Sequence, residues 1–257
     1  CGHLRRYKKI VKKTYIIYDK KLNSKEMFVI CKILLASRCL TQKEMSEILR
    51  KLIKTCIPLE DQKLITELIS NEEFHYVEPR HKVIFVDNMW EIGQAIHDQH
   101  YIEIEYEKTK NEKTIIRKVK PAAILFSEYY FYMISFATPE LEREKFKRVE
   151  DSLLVIYRLD KIKNLKVLEE RFQVPYAERF EEGEFRKRVQ FMQNGPLQKV
   201  RFKYNGKSVE EVLDRIPTSR VLQENEDGAI IEAEVFGDGI KMWIRSQGEL
   251  ISEVSYR

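Results

Sequence analysis

Residues 121–135 read PAAILFSEYYFYMIS. Ser127-Glu128 is turn chemistry, and residues 130–136 form an aromatic run of strand length. Strand alternation puts Tyr130 and Tyr132 on one face and Phe131 and Met133 on the other. Both faces cannot meet a ligand, so Phe131 and Met133 are assigned to the core. Working outward, strands are expected at 101–106, 114–120, 122–126 and 153–158. Five short strands joined by short turns suit a small barrel, which removes exposed sheet edges. The charge-rich stretch 137–148 reads as a loop or short helix on its surface.

Before the strands the pattern is helical. Ser24 reads as an N-cap, with Met27, Ile30, Cys31, Leu34 and Leu35 giving an apolar stripe. Thr41-Gln42-Lys43-Glu44 is a capping box opening a helix to about Lys54. Pro58 starts a third helix. Residues 74–77 and 83–86 flank Pro79-Arg80-His81-Lys82 as a possible hairpin. Three helices and a hairpin suggest a winged helix-turn-helix. However, Glu60, Asp61 and Glu67 make the third helix too acidic to read DNA, so a helical linker segment is the preferred reading. After the strands, residues 170–192 read as a polar, helical connector. The remainder reads β-α-β-β-α-β, the order of a ferredoxin-like sandwich, with Trp243 as a core anchor. Met89 and Trp90 are expected to pack. The expected divisions are 1–88, 89–170, 171–198 and 199–257, and the fold class is α+β.

With 257 residues the chain can bury sizeable cores. No apolar run reaches the ~18 residues of a membrane helix, and no signal peptide is visible, so no membrane partner is expected. Cys1, Cys31, Cys39 and Cys56 lack Cys-x-x-Cys spacing and read as reduced, cytoplasmic thiols. Residues 1–20 hold seven Lys/Arg against Asp19 alone, whereas residues 205–257 hold six Lys/Arg against eleven Asp/Glu. A basic N-terminal part suits nucleic acid and an acidic C-terminal part does not. The absence of an initiator Met reads as a fragment or processed product.

Enzyme signatures are absent: there is no Gly-rich phosphate loop and no Gly-x-Ser-x-Gly. His97 and His100 lack a third ligand of fitting spacing, so no metal and no cofactor is expected. The constellation that stands out is Arg117, Arg158 and Lys161 with Tyr106, Tyr130 and Tyr132. Forked guanidinium donors suit phosphate, and tyrosine faces suit bases. An anionic, nucleotide-like ligand is the expectation. The competing reading pairs Arg158 with Asp160 or a nearby Glu as a structural element. If Arg158 faces a ligand, Arg158→Ala should weaken binding and leave the thermal midpoint little changed.

Phe131-Tyr132-Met133, followed by Tyr157-Arg158-Leu159-Asp160-Lys161-Ile162, resembles the signature of the WYL domain. That family has Trp-Tyr-Leu on a strand and then a Phe-Arg-Leu-Asp-Arg-Ile-like segment. Ile92 to Ile96 resembles the family's preceding helix, and Arg117-Lys118-Val119-Lys120-Pro121 its Arg-x-Val-x-Pro strand. Trp243-Ile244-Arg245-Ser246-Gln247-Gly248 resembles a run in the WCX domain that commonly follows. The likeness covers roughly residues 90–256, more weakly 15–90. It departs at Phe131, Met133 and Lys161.

The resemblance implies an Sm- or SH3-like barrel (WYL) followed by a ferredoxin-like domain (WCX). It also implies a cytoplasmic bacterial transcriptional regulator that is not an enzyme and that binds a nucleotide or single-stranded nucleic acid at the barrel. It further implies homodimerisation through the C-terminal part, with Leu4, Tyr7, Ile10 and Val11 at helical spacing as a weaker second contact. Double-stranded DNA would be read by a winged helix preceding residue 1. The alternative is a stand-alone nucleic-acid-binding accessory protein that modulates another enzyme.

Overall fold

Residues 3–10, 13–19, 22–108, 114–137, 154–176, 179–226 and 228–257 are described by the computed structural model. The chain is α+β and falls into two units, Cys1–Ile84 and Phe85–Arg257. In the first, β1 (His3–Ile10) and β2 (Lys13–Asp19) form an antiparallel hairpin pairing Lys9 with Thr14 and Ile10 with Lys13. The helical spacing of Leu4, Tyr7 and Ile10 therefore does not make a helix. The facing run Tyr15-Ile16-Ile17-Tyr18 is aromatic and β-branched, and strand pairing wins.

Helix α1 (Ser24–Ser37) is capped one residue earlier than expected. Asn23 accepts from the Glu26 N–H at 3.0 Å, and Glu26 returns the bond, leaving the Ser24 hydroxyl to reach Asp61 at 2.5 Å. Helix α2 (Gln42–Cys56) opens on the expected Thr41–Glu44 box, and α3 (Leu59–Phe74) follows Pro58. Met27, Cys31 and Leu35, then Met45, Leu49 and Ile53, then Ile65 and Ile69 form the buried stripes between them. Cys31, Cys39 and Cys56 are buried thiols.

The hairpin expected over 74–77 and 83–86 does not form. The backbone there is engaged by side chains instead. Arg38 Nε donates to the Val77 carbonyl at 2.9 Å, and the Val83 N–H donates to His81 Nδ1 at 2.9 Å. Glu78 accepts from the Gln42 N–H, and Tyr76 Oη donates to the Leu40 carbonyl at 2.8 Å. With these partners satisfied, a strand ladder has nothing to gain.

The second unit opens with α4 (Val86–Asp98), whose Ile92 and Ala95 are buried. Trp90, expected to pack, is 69% exposed. Then come β3 (His100–Glu107), β4 (Thr114–Ser127), β5 (Tyr130–Phe136), β6 (Leu154–Arg158) and β7 (Ile162–Arg171), in antiparallel order β6-β5-β4-β3-β7. Most of the stretch 137–148 lies outside the described residues.

The two strands expected at 114–120 and 122–126 are one strand carrying a bulge: Pro121 pairs with Ser135 and Ala123 with Ile134, leaving Ala122 extra. Beyond it, β4 exchanges faces. Ile102, Ile104 and Val119 share the inner face with Met133 and Tyr157. Ala123, Leu125 and Ile134 lie on the outer face against Phe185, Val189 and Met192. Met133 is fully buried, and Phe131 packs on Phe85 and Phe126. Among the described residues no ladder joins β6 to β7, so the sheet is open in its hydrogen bonding where a closed barrel was expected. A single 3-10 turn, Leu159–Lys161, carries the chain between the two edges instead.

Among the described residues, the α-helix of the connector is α5 (Glu182–Arg188), and β7 continues to Arg171. The remainder runs β8 (Leu197–Tyr204), α6 (Glu210–Arg215), β9 (Arg220–Asn225), β10 (Gly228–Phe236), α7 (Gly239–Ser246) and β11 (Ile251–Tyr256). Its antiparallel sheet has the order β11-β8-β10-β9. Phe202 and Trp243 meet at 5.9 Å in its core, with Val200, Ile231 and Ile240. Gly239 lets the chain approach residue 190 closely: a Cβ there would sit 1.9 Å from the Gln190 carbonyl. No helix among the described residues is long and apolar enough to cross a membrane.

Burial pushes the Tyr76 phenol up to about 12, against a usual value of 10.0. Its folded value is raised, so its stabilising effect is complete below pH 10 and is lost as pH rises toward 12. Alkaline titration followed by helix content should show the first unit weakening across that window. Tyr76→Phe should lose about 1 kcal/mol at neutral pH, with the loss shrinking toward pH 12. An unchanged difference between the two proteins from pH 8 to 12 would argue against this role.

Candidate functional site

Cross-strand pairing sets Tyr132 directly opposite Arg158, and Tyr130 shares their face of β5. The Arg158 guanidinium lies 3.6 Å from the Tyr130 ring centroid, a close cation–π stack. The Tyr130 and Tyr132 rings meet edge to face at 6.5 Å. The 3-10 turn after β6 returns Asp160 to Arg158. Nε donates to Oδ1 at 3.0 Å and Nη2 to Oδ2 at 2.9 Å, a bidentate pair. Asp160 is buried, whereas the Arg158 side chain is 32% exposed. Arg158 Nη1 makes no hydrogen bond among the described residues.

Burial opposes the charge of Arg158. The Asp160 hydrogen bonds and charge, with Tyr130 and Tyr132, outweigh it and hold its pKa above the ordinary value. Burial pushes the Tyr132 and Tyr106 phenols up, so both are neutral at physiological pH. Tyr106 Oη accepts from the Arg158 backbone N–H at 3.3 Å, which joins β3 to the end of β6.

The six sequence-derived residues therefore divide. Tyr130, Tyr132 and Arg158 form one cluster on the outer face. The Tyr106 ring lies on the inner face, edge to face with Tyr157 at 5.0 Å, and touches the cluster only through its hydroxyl. Arg117 stands opposite Ile104, also on the inner face, and is half-buried. Lys161 Nζ is 3.5 Å from Glu107, which also holds Lys163 at 2.7 Å. Hydrogen bonding by Lys163 lowers the Glu107 carboxyl below its ordinary value. Glu107 and Lys163 were not singled out from sequence. Only their positions at the facing ends of β3 and β7 bring them beside Lys161.

His97 Nδ1 lies 2.7 Å from Asp98, and His100 Nδ1 2.6 Å from the Leu168 carbonyl. Among the described residues, no three His, Cys, Asp or Glu side chains converge as a metal site.

Residues 87–167 match the family model described as WYL domain. Among solved structures, the chain is similar to proteasome accessory factor B/C (PafBC) of Arthrobacter aurescens, at 12% identity and TM-score 0.36. That match covers 88% of this chain and 30% of the PafBC chain, so the chain spans less than a third of that protein. It is also similar to a CRISPR Cas-related protein, at 16% identity and TM-score 0.39, over 91% of this chain and 69% of the other. No curated protein matches it.

The Asp160 pair revises the expectation that Arg158→Ala is thermally silent. Removing the guanidinium strands a buried carboxylate. Such losses reach ~3–5 kcal/mol for fully buried pairs, and the partial exposure of Arg158 reduces this to about 1–3 kcal/mol. Urea unfolding should show Arg158→Ala markedly destabilised and Arg158→Ala/Asp160→Asn less so. Additive losses from the two substitutions would show that the pair is not coupled.

Proposed function

We propose that this chain, in which residues 87–167 form a WYL domain, is the ligand-sensing and dimerising part of a transcriptional regulator. On this reading the outer face of β5–β6 takes a nucleotide or single-stranded nucleic acid. The observation that carries the reading is Arg158: stacked on Tyr130, clamped by Asp160, and still 32% exposed along its side chain. A guanidinium fixed on two sides loses little freedom when it meets a phosphate. Tyr130 and Tyr132 supply faces for bases, and stacking of this kind tolerates any sequence. Lys161 and Lys163 lie beyond it, both held by Glu107. Tyr106 supports the site from behind, and Arg117 lends charge from the inner face.

The domain reading follows the same lines: a strongly bent Sm- or SH3-like sheet over 89–170, a connector, and a ferredoxin-like WCX domain over 199–257. The C-terminal sheet is the proposed dimer contact. Its open face is a lattice of charges, Lys199 with Glu234 and Arg220 with Glu232, and suits water. Its edge strand β9 is exposed throughout, with Val221 36% and Leu222 42% exposed, and an exposed edge is a template for pairing. Double-stranded DNA would be read by a domain outside this chain, and no catalytic step is assigned to it.

Fluorescence titration with short labelled single strands should show binding that weakens with salt, the log–log slope being about −0.7 per phosphate neutralised. Tyr130→Leu leaves the Asp160 pair in place and should cost roughly 5- to 100-fold in affinity, the range of one stacking contact. Absence of binding at low salt, or no effect of Tyr130→Leu, would remove this assignment.

Light scattering should report a homodimer for the whole chain. Val221→Glu with Leu222→Glu should give a folded monomer. A dimer that survives both substitutions would move the contact away from β9.

A further inference from the structure

A cavity of about 160 Å³ lies beside the β4–β5 turn, walled by residues 125–127, the segment from Arg186 to Met192, and the end of α6. Gln190 lines it and is only 4% exposed. Its side-chain amide makes no hydrogen bond among the described residues and is not among the fully buried unpartnered polar atoms, so it keeps a water-accessible surface. An amide that meets water in a cavity can exchange that water for a ligand oxygen. Two guanidinium groups stand on the same walls. Arg186 Nη2 donates to the Phe126 carbonyl at 2.8 Å. Arg215 lies 5.1 Å over the Phe191 ring, with Nη2 3.5 Å from Glu128. Each guanidinium has five N–H donors and spends one in these contacts. The two arginines face one carboxylate, so the cavity rim keeps a positive excess. Ser127 also lines it.

The backbone holding this amide is itself unusual. Phe191 and Met192 both have positive φ, 51° and 52°, a region non-glycine residues rarely occupy. The close pass of Gly239 beneath Gln190 locks the segment from the other side.

We propose that this cavity is a second binding site, distinct from Arg158, and that it takes a phosphate-sized oxyanion. Arg186 and Arg215 supply charge-assisted donors, and the Gln190 amide supplies a neutral one. The volume equals that of about five waters at ~30 Å³ each, enough for a phosphoryl group and too small for a base with its sugar. The same chemistry is offered by free phosphate and by the terminal phosphate of a nucleotide strand. On the outer face, Ser127 stands opposite Tyr130 and Leu125 opposite Tyr132, so a strand stacked on those tyrosines has its end within reach.

The test follows the Gln190 side-chain amide resonances of the whole chain during titration with inorganic phosphate, against chloride at matched ionic strength. A saturable, phosphate-specific shift is expected. Arg186→Gln and Arg215→Gln should each raise the phosphate dissociation constant about tenfold. Arg158→Gln should leave it unchanged, so the result stands even where oligonucleotides do not bind at Arg158. Competition by a 5′-phosphorylated dinucleotide, but not by its 5′-hydroxyl counterpart, would support the site and identify a strand terminus as the source. Competition by neither would support it as a free-phosphate site. No shift beyond that of chloride, or a shift unaltered in both arginine variants, would overturn the proposal and leave a water-filled cavity.

Discussion

The bulge at Pro121–Ala123 inserts one residue into β4, and the disposition of the second unit follows from it. Pro121 has no N–H to offer a ladder, so it is tolerated where pairing is already interrupted. Ser135, fully buried, donates to the Lys120 carbonyl at 2.9 Å and satisfies the backbone beside the interruption. Before the bulge, the inward side chains of β4 are odd-numbered, ending at Pro121. After it, Ala123 and Leu125 face outward onto Phe185, Val189 and Met192. One sheet thus acquires two buried faces, and the segment around β5 reads as a near-continuous apolar run for that reason.

That double burial also explains the electrostatics of the candidate site. The outer face around Tyr132 is dry enough to push its phenol up, and a guanidinium placed there needs a partner. Asp160 provides it, buried and bidentate. The same pair that holds the end of β6 in place also fixes the orientation of the guanidinium. A lysine could not substitute, since it has neither the planar stack on Tyr130 nor the forked geometry toward Asp160.

The connector after β7 has a role beyond linking two sheets. Phe185, Val189 and Met192 cap the outer face, while Gln190 is held over the cavity by Gly239 and by two left-handed residues. The two candidate sites lie along one outer surface, joined by the cross-strand pairs Leu125–Tyr132 and Ser127–Tyr130.

The sequence by itself determined the local elements whose signals are short-range. The Thr41–Glu44 capping box, the helical stripes of α1 to α3, the strands 101–106 and 130–136, and the β-α-β-β-α-β order of the last part were all legible. So was the separation of Tyr130 and Tyr132 from Phe131 and Met133, because period-two alternation assigns faces without knowledge of the fold; that Arg158 stands opposite Tyr132 is a matter of register. Only the tertiary structure decided the rest. β1 and β2 override a helical spacing by pairing with each other. Residues 76–83 give up a hairpin because Arg38, Leu40 and Gln42 take up their hydrogen-bonding groups. Trp90 turns to the surface. Arg117 and Tyr106 fall on the inner face because a register, unlike an alternation, depends on which strand lies alongside. The Gln190 cavity has no sequence signal at all: it is assembled from residues 127, 186, 190 and 215, and only packing brings such distant groups together.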